Sequence, residues 1–290
     1  MLPVMAAKPG VAIVGAGNLG TALALALRAA GYTIDALIAR PRGEGLKRVR
    51  GLAKRVGARA SNDLSDVRAE LIWLCVPDGE IGRTAESLAR QFEWKGRIAF
   101  HSSGALTSDE LARLRRRGAA VASVHPLMTF VQGSRPSLTG VPFAVEGDAR
   151  AVGLARRLVK DLGGRAYLTR KEDKAAYHAW GTFASPLLTA LLATTEQVAV
   201  LAGVNRKAAR ARMIPILQQT LANYAAFGAA GAFSGPIVRG DVDTVKQHLR
   251  VLRGLPTARA VYSELACAAL RYLPVKNRNS LKRILGSGRD

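Results

Sequence analysis

The sequence predicts an α/β chain, with a doubly wound, mostly parallel sheet followed by an all-helical C-terminal domain. Three observations carry this prediction. Apolar strand-like runs alternate with helical stretches from the first residues to Thr169. A glycine-rich turn joins the first run to the first helix. After Thr169 the strand signals cease, and Ala/Leu-rich stretches continue to Tyr272.

The first element is the apolar run Val11-Ala12-Ile13-Val14. It leads into Gly15-Ala16-Gly17-Asn18-Leu19-Gly20, the pattern GxGxxG, and then into a helical stretch that stops at Gly31. Gly15 permits a tight turn, Gly17 lets the backbone approach a pyrophosphate, and Gly20 lets helix and strand pack closely. The N–H groups at the helix start are free to meet the anion. With a second strand starting near Thr33, the context is that of a Rossmann-type dinucleotide site.

The remaining elements follow in order. Strands are expected near 10–15, 33–39, 57–60, 70–76, 97–101, 119–124, 142–146 and 165–169, and helices near 18–30, 44–55, 79–92, 107–117 and 149–162. A long helix is expected to open the second domain, kinked at Pro186. The polar, basic tail from Pro274 is expected to be mobile. The domains are expected at 1–169, binding the cofactor, and 170–290, for substrate and dimerisation.

Composition narrows the class. The 290 residues are 49% hydrophobic and 22% charged, as in soluble globular proteins. No basic n-region followed by an apolar core precedes the first strand, so no signal peptide is expected. The apolar run from Leu187 to Val204 is interrupted by Glu196 and Gln197, which argues against a membrane span. Two cysteines, Cys75 and Cys267, point to a reduced, cytoplasmic protein. The net charge of +22 suits anionic partners. Nucleic acid is disfavoured, because aromatic residues make up 6% and do not interleave with the basic ones. No metal site is expected.

Cofactor choice is read at the end of the second strand, where a carboxylate would bind the 2′-hydroxyl of NAD and arginine the 2′-phosphate of NADP. Asp35 lies near the start of that strand, and the five residues after it carry the chain about 16 Å onward. Arg40 and Arg42 follow the strand and are the expected 2′-phosphate ligands, making the cofactor NADP(H).

Ligands of such sheets lie outside the carboxyl ends of the strands. Three later strand ends carry polar groups: Val76-Pro77-Asp78, His101-Ser102-Ser103-Gly104 and His125-Pro126. Val76, Pro77 and Ser102 are expected beside the cofactor, together with Gly15, Gly17, Asn18, Leu19 and Gly20. His125 is held extended by the proline after it. His101 reads equally as a packed histidine or a ligand. Farther on, Lys174, His178, Gly181 and Ser185 recur at helical spacing and should share one face, two small residues leaving room for a ligand and two polar ones reaching it. Tyr177 is expected to pack. Asp241 reads as an N-cap. Arg239 is expected either to bind a substrate carboxylate or to pair with an acid.

The combination GAGNLG, VPD, HSSGAL, HPLMTF, KAAYHAWGTFAS and SGPIVRGDVDTVKQHL resembles one family over about Val11 to Tyr272. It comprises proposed NADP-linked oxidoreductases with a Rossmann-like N-terminal domain and a C-terminal domain of unknown function 2520, within the 6-phosphogluconate dehydrogenase-like superfamily. The resemblance implies hydride transfer to or from a small, acidic carbonyl, hydroxy or imine substrate, as in ketopantoate reductases and β-hydroxyacid dehydrogenases. It also implies a homodimer formed through the helical domain. By similarity to prephenate dehydrogenases, Ser103 (or, one residue off, Ser102) and His125 would act on the substrate. By similarity to β-hydroxyacid dehydrogenases, Lys174 would move the proton, with His178 standing where those enzymes carry asparagine. Pro186 departs from the family, which has asparagine after Phe-Ala-Ser. The alternative is a non-catalytic NADP-binding sensor or scaffold.

Overall fold

The computed structural model describes residues 8–39, 45–134 and 136–286. Eight strands form one sheet: β1 (Val11–Val14), β2 (Ile34–Ile38), β3 (Arg59–Ser61), β4 (Leu71–Leu74), β5 (Ile98–His101), β6 (Ala120–Pro126), β7 (Pro142–Gly147) and β8 (Arg165–Leu168). The order is β3-β2-β1-β4-β5-β6-β7-β8, and every pairing is parallel except the antiparallel β6–β7. All eight fall where the apolar runs placed them.

Five helices accompany the sheet: α1 (Asn18–Ala29), α2 (Gly45–Val56), α3 (Asp78–Ala89), α4 (Ala112–Arg116) and α5 (Ala149–Asp161). The expected helix at 107–117 divides into a 3-10 turn, Ser108–Leu111, and the short α4. Side chains alternate along the buried strands. Ile13, Leu37, Trp73, Phe100 and Val124 meet Leu23 and Leu27 of α1, Leu52 of α2 and Leu158 of α5 in one layer. Ala12, Ile38, Ile72, Leu74 and Ala99 meet Ile81 and Leu88 of α3 and Leu114 of α4 in the other. Fully burying a leucine in such a layer stabilises the fold by about 1.5–3 kcal/mol. The central strands are therefore rigidly placed, and so are the loops at their carboxyl ends.

The chain divides into two compact units, Met1–Thr182 and Phe183–Asp290. The first unit includes α6 (Lys174–Thr182), with Lys174 and Tyr177 buried. Pro186 falls in a π-helical turn, Phe183–Leu187. This widened pitch accommodates a residue that lacks a backbone N–H.

The second unit contains α7 (Leu188–Leu201), α8 (Arg206–Ala232), α9 (Pro236–Arg239), α10 (Val242–Val251), α11 (Pro256–Tyr272) and α12 (Arg278–Gly286). Gly228 interrupts α8 with a left-handed φ of +68°. The stretch Lys171–Leu201 is long and apolar enough to cross a membrane by length and composition alone, its most apolar 18 residues having a mean hydropathy of 1.3. Glu196 interrupts that stretch and is ion-paired with Arg210 of α8 at 2.8 Å.

The expected mobile tail is an ordered helix over 278–286. The periodicity of Leu281 and Leu285 is buried against Val245 and Leu249 of α10 and Ala266 and Leu270 of α11. Leu281 is fully buried, so Leu281→Ala should cost about 2–5 kcal/mol. Urea denaturation followed by circular dichroism would measure this. A loss below about 0.5 kcal/mol would mean that the helix is not part of the core.

Candidate active site

The glycine turn has the geometry of a phosphate cradle. Gly15 has φ +98°, and a Cβ there would lie 2.5 Å from the Cys75 carbonyl oxygen. A Cβ on Gly20 would run into the Gly15 carbonyl, whereas one on Gly17 would meet nothing within 4 Å. Gly17 therefore turns bare backbone to an open cleft at the start of α1, where no side chain caps the helix. The cleft has a volume of about 600 Å³, and its walls include Gly15–Leu19, Ala39, Arg48, Val76–Asp78 and Ser102. The residues present fit a dinucleotide pyrophosphate. Asn18 lines the cleft while its side-chain amide donates to the Phe130 carbonyl at 3.1 Å.

Arg40 and Arg42 lie outside the described residues. Arg48, on the first turns of α2, lines the cleft and was not singled out in the sequence. Asp35 sits early in β2, away from the strand's carboxyl end as expected, half-buried near Gly10 and Glu70, where burial raises its pKa.

At the end of β5 the two serines have separate tasks. Ser102 Oγ faces the cleft and accepts a hydrogen bond from Trp73 Nε1 at 2.7 Å. The Ser103 hydroxyl donates to Asp78 at 2.9 Å and accepts from the N–H groups of Ala105 and Leu106. It shapes the loop with bonds already made. His101 is fully buried; its Nδ1 accepts from the Ser103 N–H and its Nε2 donates to the Thr107 carbonyl. It is the packed histidine of the two readings.

His125, at the end of β6, bonds the Tyr177 hydroxyl through Nδ1 at 2.7 Å. A Cβ on Gly104 would lie 2.9 Å from His125 Nε2 and 2.9 Å from His178 Cδ2, so only glycine leaves the space between the two rings. His178 is exposed. Tyr177, expected to pack, is buried, and its hydroxyl also holds the His125 ring. Its position three residues after Lys174, on the same helix face, was the signal available in the sequence.

Lys174 is fully buried, and its ammonium donates to the Ser103 carbonyl at 2.9 Å and to Ser123 Oγ. Burial lowers its pKa to about 8, against the opposing pull of Glu146 and Asp78. Burial and then the Lys174 charge lower both His101 and His125 to about 4, so both imidazoles are neutral at pH 7. Ser185, expected on the same face as Lys174, lies beyond α6 in the π turn, where the pitch differs.

Two expectations in the second unit resolve together. The Arg239 guanidinium is paired with Asp241 at 2.7 Å, the acid-pairing alternative. Asp241 occupies the position before α10 but its side chain makes no capping bond.

A Rossmann-like domain matches residues 3–126 and the domain of unknown function DUF2520 matches 141–269, so the chain is a protein of the Rossmann-like–DUF2520 architecture. The provisionally named NADP oxidoreductase BF3122 from Bacteroides fragilis superposes with TM-score 0.75 at 20% identity, covering 90% of this chain and 97% of its own. Protein TM1727 from Thermotoga maritima gives 0.69 at 21% identity, covering 97% and 100%. An imine reductase from Myxococcus stipitatus, solved with NADP+, gives 0.63 at 19% identity, covering 96% and 100%. At these identities the likeness establishes the fold. No curated protein matches the chain.

The buried histidines set a pH dependence. Their folded pKa values, about 4, lie below the usual 6.5, so the unfolded chain binds more protons between those limits. Stability should be full above about pH 6.5 and lost as pH falls through about 4. Fully buried His101 alone accounts for about 3 kcal/mol. Urea unfolding at pH 7 and pH 4.5 would measure the loss, and His101→Phe should flatten it. An unchanged pH slope in that variant would assign the effect elsewhere.

Proposed function

We propose that this chain is an NADP(H)-dependent oxidoreductase acting on a small carbonyl, hydroxy or imine compound. The observation that supports this best is the convergence of His125, Tyr177, His178 and Lys174 on the loop after β5, whose Ser102 lines the dinucleotide cleft. The imine reductase of like fold was solved with NADP+, which agrees with a phosphorylated cofactor. The free backbone of Gly15–Leu19 would receive the pyrophosphate, and Arg48, with Arg40 and Arg42, the 2′-phosphate. The bound cofactor supplies or takes a hydride at nicotinamide C4.

The protein's part is polar. Neutral His125 turns Nε2 towards the space kept open by Gly104, where it can orient the reacting oxygen or nitrogen. Two of the three ammonium protons of Lys174 are held by Ser103 and Ser123. With a pKa near 8, Lys174 can release a proton to balance the hydride. Ser103 keeps the loop in register by bonding Asp78.

Lys174→Met should therefore lower turnover by about 10²–10⁴-fold. NADPH affinity should stay within about twofold, because the cofactor residues are untouched. The measurement is NADPH oxidation against small 2-oxo acids and cyclic imines, with calorimetry for the cofactor. Wild-type turnover in the variant would remove Lys174 from the chemistry. Arg48→Ala should weaken NADPH by about tenfold or more and leave NADH unchanged, as expected for one charge-assisted phosphate contact of about 1.5–3 kcal/mol. Equal losses for both cofactors would place Arg48 away from the 2′-phosphate.

The second unit leaves Phe183, Leu188, Ile216, Leu221, Tyr224 and Phe227 exposed. We assign this apolar surface to a homodimer interface rather than to a membrane. Light scattering at micromolar concentration should give twice the mass of the chain, and a monomer would contradict the assignment. The free state of Cys75 and Cys267 agrees with a reducing, cytoplasmic setting.

A further inference from the structure

We propose that the cavity between α10, α11 and α12 of the helical unit binds a small monoanionic carboxylate with an apolar body, held by Arg253 and Arg259.

The cavity lies wholly within the unit Phe183–Asp290 and has a volume of about 280 Å³. One face of α11 supplies a wall, since Pro256, Arg259, Ala260, Ser263 and Glu264 recur at i, i+3, i+4, i+7 and i+8. The turn before it, Leu252–Gly254, adds Arg253. Leu249 of α10 and Ile284 and Leu285 of α12 make the apolar side.

The sign of a ligand is the Arg259 guanidinium. Its Nε–H is buried and meets no hydrogen-bond acceptor. A guanidinium cannot shed its charge at any physiological pH, so a buried, unmet N–H on it is costlier than one on a neutral donor. Elsewhere in the unit Arg210 holds Glu196 and Arg239 holds Asp241. Neither Arg253 nor Arg259 is ion-paired among the described residues. The cavity that both arginines line is where an acceptor can be supplied.

Charge and size select the ligand. The lining holds two arginines and one acid, Glu264, a net single positive charge. One carboxylate neutralises it, whereas a phosphate near −2 overshoots it. The two oxygens of a carboxylate also match the guanidinium fork. Leu249, Ile284 and Leu285 offer apolar surface that a hydrocarbon body covers favourably. The volume is less than half the roughly 600 Å³ of the cofactor cleft, so a nucleotide is too large. The surrounding helices add Arg250, Arg271, Arg278 and Lys282, while their other acid, Asp243, is paired with Lys246. Such a field draws anions towards the site. The cavity shares no wall with the cofactor cleft, so the site stands whether or not the chain transfers hydride.

The test uses the full-length, ¹⁵N-arginine-labelled protein, with sodium hexanoate, hexanol and inorganic phosphate as probes. The Arg259 Nε–H resonance is the one missing from Arg259→Gln. It should shift and saturate as hexanoate is added, and hexanol, which lacks the charge, should leave it in place. Calorimetry at neutral pH should show hexanoate binding at least about tenfold more tightly than phosphate. Arg253→Gln and Arg259→Gln should each weaken hexanoate by about tenfold or more, as on losing one charge-assisted bond. An Arg259 resonance unmoved by tens of millimolar hexanoate overturns the site, and so does hexanoate affinity unchanged in both variants. Phosphate binding as tightly as hexanoate, or hexanol moving the resonance equally, overturns the choice of an apolar carboxylate. Should Arg259→Gln fail to fold, Arg259→Lys assigns the resonance and Arg253→Gln decides the affinity, an unchanged value there overturning the site.

Discussion

The Lys174 ammonium bonds the Ser103 carbonyl and the Ser123 hydroxyl, tying α6 to the ends of β5 and β6. A fully buried lysine is tolerated only where its donors are met and opposite charge is near. Here two oxygens receive its protons, and Glu146 and Asp78 supply the negative field. Glu146 is itself held by the Ser108 N–H and hydroxyl. The consequence reaches past the lysine. With α6 anchored, Tyr177 meets His125, and His178 comes to the other side of Gly104.

Electrostatics divides the site by depth. The cleft beside the glycine turn offers free backbone N–H groups and an arginine, an environment for anionic phosphates. The cluster behind it holds neutral imidazoles and a cation whose proton is loosened by burial. The loop from His101 to Gly104 belongs to both, since Ser102 faces the cleft and Ser103 and Gly104 face the cluster. A change in that loop should therefore be felt in cofactor binding and in chemistry together.

The helical unit solves a different problem. Its own core is small, with Val245, Leu249, Ala266, Leu270, Leu281 and Leu285 at its centre. Much of its remaining apolar surface faces outward. That surface is inexpensive to keep only if something covers it, and in the proposed dimer a second copy does so.

The sequence by itself determined the strands, the parallel order implied by alternating strand and helix, and the glycine turn. All of these are periodicities and local turn rules, which act between neighbours in the chain. It also marked Lys174, His125, His178, Ser102 and Ser103 as polar groups at strand ends and on one helix face. Only the tertiary structure decided what each does. Ser103 is spent on Asp78, Ala105 and Leu106, His101 is packed, Tyr177 is a ring-holding residue, and Arg48 stands at the cleft. The C-terminal tail became a helix because α10 and α11 bury Leu281 and Leu285, partners no local pattern reveals. The physical reason is the same throughout. A side chain's role depends on which distant groups satisfy its hydrogen bonds and exclude water from it, and those groups are assembled only when the chain has folded.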